Sequence, residues 1–398
     1  MATSTAVSSP FSARVNRIEI SATIAMTAEA AKLRAKGIDL SDLGMGEPHF
    51  NTPQHIKDAG IAAIQQNFTK YTAVGGVPEL RKAIVNRHAA DFGSDYKPDE
   101  ACAATGGKQA LFNAVQVLVD HGDEVIIPVP YWVSFKDIVE YAGGKCVYVD
   151  ADEEQDFRLT ADMIERAVTS RTRAIILNTP CNPSGAVMNP DDMREVLLMA
   201  HRRGIYVISD ECYVQLNFTG NVTSAAEVKE AREHLVIIGS LSKTYAMTGW
   251  RSGYALGPAP VIAQINKLQS QSTSNPCSIV QKGAIAALEG PQDCIPEFRA
   301  DYIRLRDQVL ADLAHIPGVR CARPEGAFYV YPNISAYFGR SGLNSSSDVA
   351  NRLLHEAHVV TVPGEGFGTR EHIRLSYATS SAQLKEALQR MKNFFASV

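Results

Sequence analysis

Ala174-Ile-Ile-Leu177, then the turn-rich Asn178-Thr-Pro-Cys-Asn182-Pro-Ser-Gly185, then an amphipathic stretch from Asp191 to Arg203, then Tyr206-Val-Ile-Ser209: this succession decides the fold. A short apolar, β-branched run, a stretch of helical period and a second such run read as strand, crossover helix and parallel strand. Pro190 stands where a helix would start and Gly204 where it would stop. The same grain extends outward in both directions. Further strand-like runs occur at Val125 to Ile127, Cys146 to Val149, Leu235 to Ile238 and Gly253 to Leu256, and a helical stretch runs from Asp162 to Val168. Upstream, helices are expected over Pro53 to Gln66, over Pro78 to Phe92 with Gly93 closing it, and over Gln109 to Leu118. Alternation of this kind implies an α/β protein with a mainly parallel sheet wrapped by helices.

Beyond about residue 295 the pattern changes. A long charged helix (Pro296 to Ala314), an antiparallel piece (Ala327 to Tyr331), a Ser- and Gly-rich loop (Gly339 to Ser347) and a terminal helix (Ser381 to Ala396) read as a smaller domain of mixed type. The N-terminal segment is too short to form a core alone. The expected division is therefore residues 1–50 as an arm and part of the small domain, 51–295 as the large domain and 296–398 as the small one.

Composition removes several function classes. The 398 residues carry 39 Lys plus Arg against 43 Asp plus Glu, a net charge of −4, without a basic cluster that nucleic acid or a membrane surface would require. The densest apolar stretch, Val125 to Phe135, is broken by Pro128 and Pro130 and is too short to span a bilayer. The first seventeen residues are rich in Ser, Thr and Ala but lack the apolar centre of a secretory signal, so a frayed tail is expected there. Seven scattered cysteines with no C-x-x-C pair argue against a disulfide framework and a structural metal, and for a reducing, cytoplasmic compartment.

In sheets of this kind ligands bind where loops leave the strand ends, so the polar residues after each run carry the chemistry. After Leu235 to Ile238 comes Gly239-Ser-Leu-Ser-Lys243-Thr-Tyr-Ala-Met-Thr-Gly-Trp-Arg251. A buried lysine near a second cation loses basicity and becomes a nucleophile for aldehydes. Ser240-Leu-Ser-Lys243 also fits the S-x-x-K signature of serine acylases, but the K-T-G and S-D-N partners of that chemistry are absent. Gly106-Gly107-Lys108 resembles the end of a phosphate-binding loop of an ATPase, yet Gln109 replaces the magnesium-binding hydroxyl. What the two glycines offer is a set of free amides at a helix start, suited to an anion. Asn178 and Asn182 sit in a rigid turn, Asp210 and Tyr213 end another run, and Arg374 lies within the alternating His372-Ile-Arg374-Leu-Ser-Tyr377. Buried charges at such places call for partners of opposite sign.

Taken in order, Leu43-Gly-Met-Gly46-Glu-Pro, Thr69-Lys-Tyr71, Gly106-Gly-Lys-Gln, Pro130-Tyr-Trp132, Asn182-Pro-Ser-Gly, Asp210-Glu-Cys-Tyr213, Ser240-Leu-Ser-Lys243, Ala246-Met-Thr-Gly-Trp-Arg251 and Arg374-Leu-Ser-Tyr-Ala resemble the fold-type I pyridoxal-phosphate enzymes. Among these the chain is most similar to the class I aminotransferases of the bacterial aspartate aminotransferase subgroup. The resemblance implies a large domain with a mainly parallel seven-stranded sheet between helices, a smaller α+β domain, pyridoxal 5'-phosphate as cofactor, and a homodimer with shared active sites.

It also implies roles, residue by residue. Lys243, Asp210 and Tyr213 would be catalytic: Lys243 bonds the cofactor aldehyde and shuttles the Cα proton, Asp210 keeps the pyridine nitrogen protonated, and Tyr213 with Asn182 bonds the ring oxygen. Trp132 would stack on the ring. Gly106, Gly107, Lys108, Ser240, Ser242 and Arg251 would hold the phosphate, with Tyr71 reaching it from a partner subunit. Arg374 would fork the substrate α-carboxylate, assisted by Gly46 and Asn182 and flanked by Trp132. Lys108, Ser21 and Thr23 match residues that read a distal carboxylate, so the expected reaction is ping-pong transfer between L-aspartate or L-glutamate and 2-oxoglutarate or oxaloacetate. The alternatives are an aromatic aminotransferase, a prephenate aminotransferase and a carbon–sulfur lyase. Glu19 stands where prephenate-using relatives carry a cation, which opposes that substrate.

Overall fold

The computed structural model describes residues 10–398. The expected frayed tail falls largely on residues 1–9, outside the described residues, and the rest of that stretch includes a helical turn, Ala13–Asn16. Twelve strands follow in chain order among the described residues: β1 (Ser41–Asp42), β2 (Ala101–Ala104), β3 (Glu124–Val129), β4 (Lys145–Asp150), β5 (Thr172–Asn178), β6 (Tyr206–Asp210), β7 (Leu235–Ser240), β8 (Gly253–Leu256), β9 (Tyr329–Val330), β10 (Val359–Val360), β11 (Val362–Pro363) and β12 (Ile373–Ser376).

Seven of them form one sheet in the order β2-β8-β7-β6-β5-β3-β4. Only β8 runs against its neighbours, pairing antiparallel with both β2 and β7. The architecture is the α/β fold with the seven-stranded, mainly parallel sheet. β2 was not among the runs read from periodicity, because Ala101-Cys-Ala-Ala104 has neither β-branched bulk nor alternation and its four residues are all buried.

Side-chain alternation along the central strands feeds two cores. Ile126, Ile175, Leu177, Val207, Leu235 and Ile237 pack on one face with the helices Pro78–Phe92, Pro190–Arg202 and Ser278–Glu289. Val125, Ile127, Ile176, Ile208, Val236 and Ile238 pack on the other with Gly107–Leu118, Ser134–Ala142 and Ala259–Ser270. A sheet covered on both faces explains why its strands read as continuous apolar runs.

Helix starts follow local chemistry. Thr160 caps Ala161–Ala167 by accepting from the Met163 amide at 3.4 Å, and Asn189 caps Pro190–Arg202 by accepting from the Asp191 amide at 2.8 Å. The long helix runs over Cys294–Leu313, so Pro296 sits inside its first turn, where a missing amide proton costs nothing. That helix also changes allegiance along its length. Ile295 packs with the large-sheet core, whereas Phe298, Tyr302, Leu305 and Val309 pack with Phe328, Val330, Leu375, Leu388 and Phe394 in a separate core. This second core is organised by the antiparallel sheet β11-β12-β9 and the terminal helix Ser381–Ala396. The expected loop at 339–347 ends in a helix, Ser346–Arg352, whose start Ser345 caps.

β8 is where the sheet and the loop after β2 meet most tightly. A Cβ on Gly253 would stand 2.3 Å from the Gly107 amide nitrogen and 2.6 Å from the Gly106 carbonyl carbon. Backbone cannot swing aside as a side-chain tip can, so Gly253→Ala is expected to cost about 2–4 kcal/mol of stability. Denaturant unfolding of the two proteins checks this, and an unchanged midpoint would refute the close approach.

Candidate active site

The carboxyl ends of β5, β6 and β7 converge on one cavity of about 260 Å³. Its wall combines residues far apart in sequence, from Ser21 and Thr23 to Arg374. Every residue singled out for the site lies on it except two: Gly106, which sits just behind Gly107, and Tyr71, which is 92% exposed on the surface of the single chain. Asn178, Cys212, Tyr329, Ile24 and Val133 also line it and were not among the chosen site residues. Asn178 carried a signal in the asparagine-rich turn, but Tyr329 stands among other aromatics and nothing in its neighbours distinguishes it.

One end of the cavity is a cradle at the N-terminus of Gly107–Leu118. Gly106 holds a φ of 86°, a conformation that L side chains rarely adopt, and a Cβ there would come within 2.7 Å of the Arg251 guanidinium. A Cβ on Gly107 would meet Cys212 Sγ at 3.0 Å and Ser240 Cβ at 3.2 Å. Glycine at both places keeps the amides bare, with Ser240, Ser242 and Arg251 on the same wall. Helix-start amides, two hydroxyls and a guanidinium fit a phosphate.

Next to this cradle stand Lys243 and Asp210. Burial pulls the Lys243 amine from its ordinary 10.5 down to about 8, with Arg374 and Arg251 acting in the same direction and Cys212 and Glu47 opposing. Its Nζ donates to the Gly46 carbonyl. Asp210 is 4% exposed, and burial raises its carboxyl to about 6, while the hydrogen bond from the Cys212 amide to Oδ1 at 3.1 Å opposes the rise. Tyr213 Oη and Tyr329 Oη lie 2.8 Å apart, and burial raises the Tyr213 phenol well above its ordinary value.

At the opposite end Arg374 is buried and forks over neutral groups. Nη1 donates to Asn182 Oδ1 at 3.0 Å, Nη2 donates to the Gly44 carbonyl at 2.8 Å, and Nε has no partner among the described residues. Asn182 is itself fixed through its amide, which donates to Asn178 Oδ1 at 2.9 Å. Lys108 Nζ lies 4.8 Å from the centre of the Trp132 ring, and its amine is lowered by burial and by Arg251. Ser21 and Thr23 reach the cavity because the preceding segment is fastened to the helix Ser134–Ala142. The Glu19 amide donates to Asp137 Oδ1 at 3.1 Å, Lys136 lies 3.5 Å from the Glu19 carboxylate, and Arg17 donates to the Tyr141 carbonyl at 3.4 Å. Glu19 itself points outward and is not part of the wall.

Two further observations bound the chemistry. Among the described residues no cluster of three or more His, Cys, Asp or Glu is placed to hold a metal ion, and no helix is long and apolar enough to cross a membrane.

Comparison with known proteins gives one consistent result. Residues 38–391 match the family described as Aminotransferase class I and II. An aspartate aminotransferase of Geobacillus stearothermophilus is 43% identical over 383 residues, covering 96% of this chain and 98% of the relative. An aspartate/prephenate aminotransferase of Nitrosomonas europaea is 43% identical over 398 aligned positions, covering 97% and 99%. Among solved structures, the aspartate aminotransferase of Thermus thermophilus with maleate superposes with a TM-score of 0.92 at 40% identity, covering 96% of this chain and 99% of that one.

The lowered amine of Lys243 has a consequence for stability. Between about 8 and 10.5 the unfolded chain holds a proton that the folded chain has released, so this group's contribution raises stability as pH climbs through that window. In cofactor-free protein, the stability difference between wild type and Lys243→Met is expected to move toward wild type by about 3 kcal/mol from pH 7 to 10.5. Urea titrations across that range test it; a flat difference would mean that the amine is not depressed.

Proposed function

The chain belongs to the class I and II aminotransferase family, and from that premise we propose that it transfers the amino group of a dicarboxylic L-amino acid, aspartate or glutamate, to a dicarboxylic 2-oxo acid. That it is a pyridoxal-phosphate transaminase follows from family membership. The observation that carries the substrate reading is the presence of two separated cationic ends in one cavity, Arg374 at one wall and Lys108 beside Trp132 at another.

Pyridoxal 5'-phosphate, when bound, supplies an aldehyde that takes up the substrate nitrogen covalently and a protonated ring that draws electrons from the substrate Cα. In this reading the cradle of Gly106, Gly107, Ser240, Ser242 and Arg251 binds the phosphate, and Lys108 contributes its backbone amide. Tyr71 of a second copy adds a hydroxyl to the same phosphate. Asp210 would hold a proton on the ring nitrogen. Tyr213 and Asn182 would donate to the ring oxygen, and Trp132 would shield the ring from water. Arg374, on the cavity wall and without an ion-pair partner among the described residues, would take the α-carboxylate, with Gly46 alongside. That grip would fix the orientation of the substrate and so which group at Cα faces Lys243. Lys243, whose amine is lowered by burial, would take the Cα proton as a base and redeliver it as an acid within the same half-reaction, with the reverse transfer serving the second. The Lys108 ammonium, with the Ser21 and Thr23 hydroxyls, reads the distal carboxylate.

Residues 1–50, 51–295 and 296–398 are taken as arm, large domain and small domain, in line with the change of core between Ile295 and Phe298. A cytoplasmic homodimer is supported by the seven free cysteines and by the exposure of Tyr71, Met45, Ile61 and Ile64. Sedimentation at twice the chain mass is the expected result; a monomer that is fully active would overturn the shared site.

A donor-by-acceptor turnover matrix tests the substrate reading. Aspartate and glutamate should exceed phenylalanine and tyrosine in kcat/KM, prephenate should be poor, and no ammonia should be released without an acceptor. Lys108→Ala is expected to lower kcat/KM for dicarboxylic donors by roughly 10–100-fold while leaving aromatic donors within a few-fold. Faster turnover of aromatic donors by the wild type, or equal losses for both classes, would refute the assignment.

A further inference from the structure

Arg374 does its work only if the small three-stranded sheet that carries it is held in register with the large sheet that carries Lys243 and Asp210. β12 has four residues and its neighbours β9 and β11 have two each, so this sheet is not rigidly placed by its own pairing. Arg374 bridges to Asn182, but that bond draws on the same guanidinium that must also take a substrate carboxylate.

Backbone hydrogen bonds such as Ala327 N–H to the Leu216 carbonyl at 3.0 Å and Tyr131 N–H to the Phe367 carbonyl at 3.0 Å join the two parts, and a side-chain tie that also spares the guanidinium lies next to Arg374 on its own strand. After β4, at the edge of the large sheet, the turn Glu153–Gln155 is capped by Asp152 and presents the Glu153 carboxylate toward the small sheet. Across from it, Arg320, Asn333 and His372 lie side by side on adjacent backbones, joined by antiparallel bridges Arg320 to Asn333 and Asn333 to His372. All three reach the same oxygen. Asn333 Nδ2 donates to Glu153 Oε2 at 2.6 Å, His372 Nε2 stands 3.2 Å from it and Arg320 Nη2 3.8 Å.

The His372 ring is clamped as well. It stacks on Tyr331 with centroids 4.7 Å apart and planes at 9°, and Phe157, from the segment just after Glu153, meets it edge-on at 5.4 Å. Its Nδ1 lies 3.2 Å from Thr369 Oγ1, which in turn pairs with Tyr331 Oη at 2.6 Å. His372 and Arg374 are two residues apart along an extended run and therefore point to one side of it. Holding the first ring holds the strand from which the second side chain projects.

We infer that Glu153 is a positioning residue for the transamination site: by gathering Asn333, His372 and Arg320 it sets where Arg374 stands relative to the cofactor-bearing sheet. The inference rests on the reading of Arg374 as the α-carboxylate fork. Both substrates carry that carboxylate, so loss of the tie must weaken donor and acceptor alike, and it must leave the phosphate cradle untouched.

The test uses the holoenzyme and three readouts: KM and kcat for L-aspartate and 2-oxoglutarate, the dissociation constant of succinate followed by the cofactor absorbance, and the dissociation constant of the cofactor. Glu153→Ala is expected to raise both KM values and the succinate constant together by roughly 5–20-fold, with kcat and cofactor binding within about threefold. Glu153→Gln, which keeps an acceptor for Asn333, should recover part of that loss. If Glu153→Ala does not fold, His372→Gln opens the tie from the other side and should give the same paired rise. Unchanged KM values in a protein that has only lost thermal stability would overturn the inference, as would a parallel loss of cofactor affinity. Arg374→Gln separates the two levels. If it leaves succinate binding intact, the reading of the fork fails; if it abolishes binding while the Glu153 and His372 variants do not affect it, the positioning role alone fails.

Discussion

An excess of positive charge on one enclosed wall governs this molecule. Lys108, Lys243, Arg251 and Arg374 all face the same cavity, and Asp210 is the single carboxylate among its lining residues. Burial disfavours each of the two ammonium groups, and neighbouring guanidinium groups add to the effect. Such a wall is costly as a purely structural feature, because each uncompensated charge loses hydration without gaining a partner. The cost is offset when anions occupy the cavity. A phosphate and an α-carboxylate are anions for these cations, and the chemistry of a pyridoxal-phosphate transaminase supplies both.

The sheet makes that arrangement possible by bringing strand ends together without crowding them. β6 ends in Asp210 and β7 ends in Ser240, and both are paired in parallel, so their last residues emerge on the same edge. β8 returns against β7 and lays Gly253 on the backbone of Gly106 and Gly107. The glycine cradle is therefore braced from behind by the main chain. Tyr254 lies flat on Gly239, where a Cβ would come within 2.1 Å of its ring, so the residue before Ser240 is small for a packing reason. Chemistry and packing select the same residues along this loop.

How much of this was legible in the sequence depends on the kind of signal. Pro78–Phe92 has the bounds that its opening proline and its closing glycine announce, because both residues act on their own backbone. The terminal helix Ser381–Ala396 is equally plain, with Ser380 capping it. β2 left no trace in periodicity, and the helices Ser134–Ala142, Ala259–Ser270 and Ser278–Glu289 were not singled out; their faces become meaningful only against the sheet they cover. At the site, charged and glycine residues at strand ends stood out, whereas Tyr329 and the Glu153 cluster did not. Their roles come from elements more than a hundred residues apart meeting in space, and no local pattern encodes such a meeting. Tyr71 lies outside the cavity and is exposed on the single chain.

Arg374 shows how the chain prepares a charge without using it up. Its two protein acceptors, the Asn182 side-chain oxygen and the Gly44 carbonyl, are neutral dipoles. They aim the guanidinium plane but leave its unit charge uncancelled, and among the described residues no carboxylate forms an ion pair with it. The rings of Tyr329, 4.5 Å away, and Phe367, 5.1 Å away, stabilise the cation by their faces while offering no lone pair that competes with an incoming carboxylate. A carboxylate in place of Asn182 would hold the same geometry but neutralise the guanidinium. The capacity of this end to take an anion therefore comes from what the chain withholds from its own arginine, and precision comes from the dipoles and the strand that aim it.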